Sequence, residues 1–199
     1  MTEKLSRYRS KRDFSRTSEP AGNGPGRAGR RRFVIQKHDA SSLHYDFRLE
    51  FGGVLVSWAV PKGLSTDPAQ KRLAIQTEDH PRGYIDFEGV IPAGEYGAGT
   101  VMVWDSGTYR NLRARRGPDS RSMERSLDEG LIEVWLEGRK LRGGYALVRT
   151  RGGDRPQWLV IKMDDEAADA RRNPVNTEPL SVKSGRDLRA IAEQEPGSD

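Results

Sequence analysis

The sequence predicts a mainly β protein: a compact barrel of about eight strands, with one or two flanking helices and a flexible N-terminal arm. Three observations predict it. From Phe33 onward the chain is a series of short runs rich in Val, Ile, Phe, Tyr and Trp. Gly, Pro, Asp and Asn signals such as FGG, PKG, DSG and RGGD separate those runs. The connections are short, which suits a small closed or half-closed barrel or a sandwich. At 199 residues, 34% hydrophobic and 32% charged, the chain can bury one core despite a mean hydropathy of −0.80.

Residues 1–32 form the arm. They hold ten Lys/Arg against three acids, whereas the remainder holds 24 against 26, so the positive charge belongs to the arm. Its EPAGNGPGRAGRRR run is too rich in Gly and Pro to pack. Such an arm attracts polyanions by counterion release, or is simply a solvated tail. The barrel is expected at 33–163, with strands in RFVIQK, LHYDFRLEF, VLVSWAV, RLAIQT, GTVMVWD, LIEVWLEG, GYALVRT and QWLVIKM. DSRSMERSLDEG reads as a helix, and SGRDLRAIAEQ as a second one behind a serine or glycine cap. Residues 164–199 read as a polar, proline-containing linker and a helical tail.

Composition excludes several classes. There is no cysteine, so disulfides and thiolate metal sites are both ruled out and any metal must use nitrogen and oxygen ligands. The start, MTEKLSRYRSKRDF, has no apolar run that fits a signal peptide, and no stretch is long enough to span a membrane. A cytoplasmic protein with no membrane partner is the expectation.

The most informative stretch is KHDASSLHYDFRLEF, residues 37–51, which holds two of the three histidines. In a strand its alternation puts Leu43, Tyr45, Phe47, Leu49 and Phe51 on one face and His44, Asp46, Arg48 and Glu50 on the other. Imidazole and carboxylate together accept Mn, Zn or Fe(II), and a guanidinium can fork onto a phosphate or carboxylate beside the ion. The plain alternative is a half-solvated strand face whose charges pair with neighbours. His38 and His80 tip the balance towards a site, because all three histidines lie near acid-rich junctions of loop and strand.

Two other features read as structure. Gly94, Gly97 and Gly99 precede a strand, TVMVW, where a nucleotide-binding loop needs a helix, so a tight turn with bulge-permitting glycines is expected. Trp58, Trp104, Trp135 and Trp158 each sit in an apolar run and read as core.

FVIQKHDASSLHYDFRLE, SWAVPKG, KRLAIQTEDHP, YIDFEGVIPAGEYGAGTVMVWDSGTY and KRDFSRTSEPAG resemble the 3′-phosphoesterase domain of bacterial DNA ligase D, a family that includes stand-alone proteins. The resemblance runs in order from about Tyr8 to the final SGRDLRAIA. It implies a β-barrel with helices on one side and a manganese-dependent enzyme. The implied activity removes a terminal ribonucleoside to leave a 3′-phosphate, then converts that phosphate to a 3′-hydroxyl. By resemblance His38, His44 and Asp46 hold Mn²⁺, other divalent ions being compatible. Arg48 and His80 bind and act on the phosphate, with Tyr84 beside them. Arg12, Asp13 and Glu19 match the family's functional N-terminal motif, and Gln36, Lys62, Arg72 and Glu78 fall on positions tied to substrate handling. The implied partners are DNA primer–templates or DNA 3′ ends carrying a terminal ribonucleotide or a 3′-phosphate. No polymerase or ligase domain is expected in this chain, so coupling to joining would need a ligase, a polymerase or an end-joining factor. Two rival readings are a non-catalytic DNA-end-binding module and an Fe(II) oxygenase built on His44, Asp46 and His80.

Overall fold

The computed structural model describes residues 4–22, 31–114 and 118–194. Nine strands are found among them: β1 (Arg32–Asp39), β2 (Leu43–Phe51), β3 (Val54–Val60), β4 (Lys71–Gln76), β5 (Gly89–Ile91), β6 (Gly99–Asn111), β7 (Leu131–Gly138), β8 (Arg142–Arg151) and β9 (Gln157–Lys162). All neighbours pair antiparallel in the order β1-β2-β3-β4-β9-β8-β7-β6, and β6 pairs back onto β1 to close an eight-stranded barrel. β5 adds to the first half of β6 outside that circuit. The barrel interior takes the apolar alternation of every strand, with Trp58, Trp104 and Trp158 fully buried alongside Phe33, Phe47 and Tyr145.

One strand runs further than the sequence implies. Asp105-Ser106-Gly107 reads as a turn, yet β6 passes straight through it to Asn111. Its Asp and Gly serve a different purpose. The Asp105 carboxylate accepts from the amides of Arg139, Lys140 and Leu141, which shapes the tight β7–β8 connection. A Cβ at residue 107 would collide with the Glu137 carbonyl, so glycine lets the two backbones approach. Trp135 also departs from expectation. It lies on the outer face of β7, half-buried, with the Arg110 guanidinium 5.4 Å over its ring.

The helices are short: α1 (Ser6–Ser10), α2 (Met123–Glu129), α3 (Pro174–Thr177) and α4 (Leu188–Gln194). α2 begins at Ser122, whose hydroxyl accepts from Arg125 N–H, and ends at Gly130 with φ of 77°. α4 is capped by Asp187, which accepts from Ala190 N–H, rather than by a serine or glycine. α1, α3 and β5 are too short to leave a periodic signature in sequence. No helix among the described residues is long and apolar enough to cross a membrane.

Two segments read from sequence as loosely attached are folded onto the barrel. Residues 4–22 of the arm are anchored by Tyr8, fully buried, and Leu5; of residues 20–32, expected as a tether, 23–30 lie outside the described residues and Arg32 already belongs to β1. The 164–194 segment straps the barrel. Thr66 Oγ1 lies within 2.9 Å of the carbonyls of Asp169 and Arg172 and shares its one proton between them, Trp104 Nε1 donates to that of Glu178, and Ile191 joins the interior core. A second, smaller core lies outside the barrel wall, where Tyr8, Tyr84, Ile85, Phe87 and Ile91 cover Val34, Leu55, Val101 and Val103. That covering layer walls in the polar face of β2, which is therefore buried on both sides over most of its length.

Candidate active site

The register of β1 and β2 sets His38 opposite His44 and Gln36 opposite Asp46. Alternation sends all four side chains, with Arg48, to the outside of the barrel wall. His38 Nε2 lies 2.9 Å from the Gly97 carbonyl and His44 Nδ1 lies 2.9 Å from the Ser42 carbonyl. A carbonyl can only accept, so those nitrogens carry the protons, and in the neutral ring the opposite nitrogens are lone pairs. Both lone pairs face Asp46. His38 Nδ1 is 3.5 Å from Oδ2 and His44 Nε2 is 3.8 Å from Oδ1, at or beyond the limit of hydrogen bonding. One donor atom from each of the three residues lies within 4.8 Å of the others. Two imidazole nitrogens and a carboxylate oxygen converging in this way fit a divalent metal of the Mn, Fe or Zn kind. The two carbonyls are the outer partners that fix ring orientation.

A layer of guanidinium groups adjoins the cluster. Arg48 Nη2 contacts Asp46 Oδ2 at 3.0 Å, its Nε donates to Gln36 Oε1 at 2.8 Å, and its Nη1 lies 3.0 Å from His80 Nδ1. Gln36 is itself fixed by donating to the carbonyls of Tyr84 and Phe87. From the arm, Arg12 reaches over His80, with Nη2 3.4 Å from Nε2. Arg12 also pairs with Glu19 at 2.9 Å and Glu78 at 3.3 Å, and stacks 3.9 Å above the Tyr8 ring. Tyr84 donates its hydroxyl to Glu19 and forms a wall against which His80 and Arg48 pack.

These contacts set the protonation states. Burial alone would raise the Asp46 pKa, but the Arg48 guanidinium holds it well below the usual carboxylate range. Burial, then Arg48, then Arg12 push His80 well below an ordinary histidine, so its ring is neutral. Burial and the neighbouring Glu19 drive Tyr84 well above an ordinary tyrosine, so it keeps its hydroxyl proton. An anionic carboxylate, a neutral imidazole and two buried cations thus share one wall.

The cleft they line has a volume of about 390 Å³, and it contains Arg12, His38, His44, Asp46, Arg48, Glu78, His80 and Tyr84. Glu19 and Gln36 stand behind it and hold Arg12 and Arg48 in place. Three expected residues are not brought in. Asp13 is exposed and accepts from Ser15 in a local turn. Arg72 lies on β4 and contacts Gln70. Lys62 is exposed on the turn after β3, next to Pro61, which does line the cleft. The third member of the group with His44 and Asp46 is His38, so the His44, Asp46, His80 triad of the oxygenase reading is not the one assembled among the described residues. Sequence reasoning missed Tyr8, Lys11, Tyr96 and Arg155. Tyr8 was hidden in a basic run, Tyr96 in the glycine turn, and Arg155 in a loop read only as a turn signal. The Gly97 carbonyl has no signature in sequence at all.

Comparison with known proteins shows the family to which the chain belongs. The family described as the DNA Ligase D 3′-phosphoesterase domain matches residues 36–149. The multifunctional non-homologous end joining protein LigD of Pseudomonas aeruginosa is 48% identical over 189 residues, 92% of this chain and 22% of that protein. The protein of the same name from Mycolicibacterium smegmatis is 44% identical over 98% of this chain and 24% of its own length. The non-homologous end joining DNA repair protein LigD of Mycobacterium tuberculosis is 47% identical over 83% of this chain and 20% of its own length. The chain thus spans between a fifth and a quarter of the relatives it matches. With β2 through β7 wholly inside the matched region and β1 and β8 partly so, the chain belongs to the DNA ligase D 3′-phosphoesterase domain family.

Proposed function

We propose that this protein is a metal-dependent phosphoesterase that trims DNA 3′ ends, removing a terminal ribonucleoside and then the 3′-phosphate left behind, in support of end joining. The observation that carries the reading is the His38, His44, Asp46 cluster placed against Arg48, Arg12 and a neutral His80 in a single cleft. Mn²⁺ held by those three ligands would supply Lewis-acid polarisation of a phosphoryl oxygen and a lowered pKa for an attacking water.

The chain's own groups divide the remaining work. Arg48, already fixed by Gln36, offers N–H donors to the phosphoryl oxygens where negative charge builds. Arg12 neutralises the opposite side and is kept there by Glu19 and Glu78. His80 in its neutral form can donate one N–H to the phosphoryl or leaving oxygen. A phosphate anion between Arg12 and Arg48 offsets the two charges that depress the ring, which raises its proton affinity while substrate is bound. In the first step water bonds to phosphorus and the bond to the 5′-oxygen of the terminal ribonucleoside breaks, leaving a 3′-phosphate. In the second, water displaces the 3′-oxygen and inorganic phosphate leaves. Each leaving oxygen takes one proton, for which His80 is the nearest carrier in our reading.

The test is a 5′-labelled primer–template ending in one ribonucleotide, incubated with Mn²⁺ or with EDTA and resolved on a sequencing gel. The reading expects stepwise conversion to the 3′-phosphate and then the 3′-hydroxyl with Mn²⁺ alone. Tight binding without product in any divalent metal would overturn it in favour of an end-binding module. A requirement for oxygen would favour the oxygenase.

A further inference from the structure

A second cleft of about 600 Å³ opens beside the metal-binding cleft, lined by Arg7, Lys11, Gln76, Gly153, Asp154 and Pro156. The two share a wall made of Thr77, Glu78, Tyr96 and Arg155. Its volume lies in the range of sites that enclose small molecules, roughly 300–1,000 Å³. Its charge is not self-compensated by contact. Lys11 is paired with Glu78 at 3.0 Å, but Arg155 forms no ion pair or hydrogen bond through its guanidinium among the described residues. Arg155 sits on the β8–β9 loop, at the border of both clefts. Tyr96 is 47% exposed, an unusual state for an aromatic ring, and Lys11 Nζ stands 4.3 Å above it while also reaching its hydroxyl at 3.0 Å. A half-exposed ring lining the same clefts as an unpartnered guanidinium is what a base and its adjacent phosphate require.

We propose that this second cleft carries the nucleotides on the 5′ side of the reacting 3′ end. Arg155 takes the phosphodiester that precedes the terminal nucleotide, and Tyr96 stacks on the base next to it. The inference rests on the phosphoesterase reading in placing the strand's 3′-phosphate at His38, His44 and Asp46. It adds a direction: the strand leaves the metal-binding cleft across the Tyr96–Arg155 border, over α1.

The test is fluorescence anisotropy of a 5′-fluorescein single strand bearing a 3′-phosphate, titrated with the full-length protein in EDTA over a series of salt concentrations. Arg155→Ala is expected to reduce the salt slope by about 0.7, the value for one lost phosphate contact on a single strand. Tyr96→Ala is expected to weaken binding about tenfold and leave the slope unchanged, as for one lost stack. Arg110→Ala, which removes a charge on the outer face of β6 beside Trp135, controls for net charge and should match wild type. An unlabelled deoxynucleoside 3′-phosphate, which has no preceding phosphodiester, should compete equally well against wild type and Arg155→Ala. A wild-type slope in Arg155→Ala, an equal slope loss in Arg110→Ala, or weaker competition by the mononucleotide in Arg155→Ala would each overturn the proposal. Phosphate release by wild type from the same strand with Mn²⁺ is measured in parallel. Its absence would overturn the phosphoesterase reading, while the binding titration still decides the cleft.

Discussion

Asp46 illustrates how much depends on a few side chains. It is almost fully buried, 6% exposed, and pairs with Arg48 at 3.0 Å. Removing one partner of such a pair leaves a buried charge behind and costs about 3–5 kcal/mol. Asp46→Ala therefore confounds metal loss with instability; Asp46→Asn leaves the same charge unpaired but keeps the shape and an acceptor oxygen for Arg48, and is the cleaner probe. We expect it to abolish Mn²⁺-dependent turnover in a gel assay while the circular dichroism spectrum is retained; wild-type turnover would remove Asp46 from the ligand set. For Arg48, loss of the fork should lower the single-turnover rate for diester and 3′-phosphate alike by about 10²–10³-fold in Arg48→Ala. Arg48→Lys should recover little, because an ammonium cannot hold Gln36, Asp46 and a phosphate together. A lysine variant with normal rates would show that charge alone matters there. Asp79, next to His80, gives a test of pH. Burial raises its pKa to about 6, only partly countered by Lys4. The unfolded chain then loses this proton first, so the stability that the protonated carboxyl contributes is lost as pH rises from about 4 through 6. Asp79→Asn should accordingly stabilise the protein by about 1–2 kcal/mol at pH 7 and by little at pH 4 in urea unfolding. An equal gain at both pH values would mean that the charge is not the cause.

Between the elements, α1 and the segment from His80 to Ile91 turn a barrel wall into a cleft. Tyr8 is the anchor: its ring packs on His80 and Tyr84, its hydroxyl donates to the Pro20 carbonyl, and Arg12 lies on its other face. Tyr8→Ala should undock the arm, so that trypsin cuts after Arg12 much faster than in wild type, while Tyr8→Phe should lose only the one hydrogen bond, about 0.5–1.5 kcal/mol. Unchanged cleavage in Tyr8→Ala would mean that the arm is held by other contacts. This layer is also where sequence reading stopped. Whereas His38 stood out only by its place at an acid-rich junction and by resemblance, His44, Asp46 and Arg48 were legible because strand alternation with period two projects them to one face, and the apolar face of the same strand identified the core. The eight barrel strands were legible for the same reason. β5, with three residues, and α1, with five, carry too few positions to show a period. The arm's basic composition pointed to solvent, and only the burial of Leu5 and Tyr8 among those charges reveals that it docks. DSG read as a turn because its Asp and Gly act on the β7–β8 connection, which is distant in sequence. Contacts through backbone carbonyls, such as Gly97 to His38, depend on the fold and not on residue type.

Across the whole molecule, the interior core and the site are largely independent, since His38, His44 and Asp46 hang from the outer face of β1 and β2, whose inner faces carry Phe33, Ile35, Tyr45, Phe47 and Leu49 into the core. Stability should then separate into a barrel contribution and a metal contribution. A ligand that binds only the folded state stabilises it by RT ln(1 + [L]/Kd), about 2.7 kcal/mol at a hundredfold excess over Kd. For a chain of this size that corresponds to a rise in Tm of about 5–10 °C. His44 is the residue with which to test it, because its side chain is 21% exposed and lies at the rim of the cleft. In calorimetry, Mn²⁺ should raise the Tm of wild type by that amount, and His44→Ala should abolish most of the rise while its metal-free Tm stays within a few degrees of wild type. The metal-free comparison is what makes the experiment decisive. If His44→Ala melts far below wild type without metal, the imidazole is holding the barrel wall together and the separation of site from core is wrong. If its Mn²⁺-induced rise equals that of wild type, the ion binds elsewhere, and the convergence of His38, His44 and Asp46 is only an arrangement of the β1–β2 hairpin.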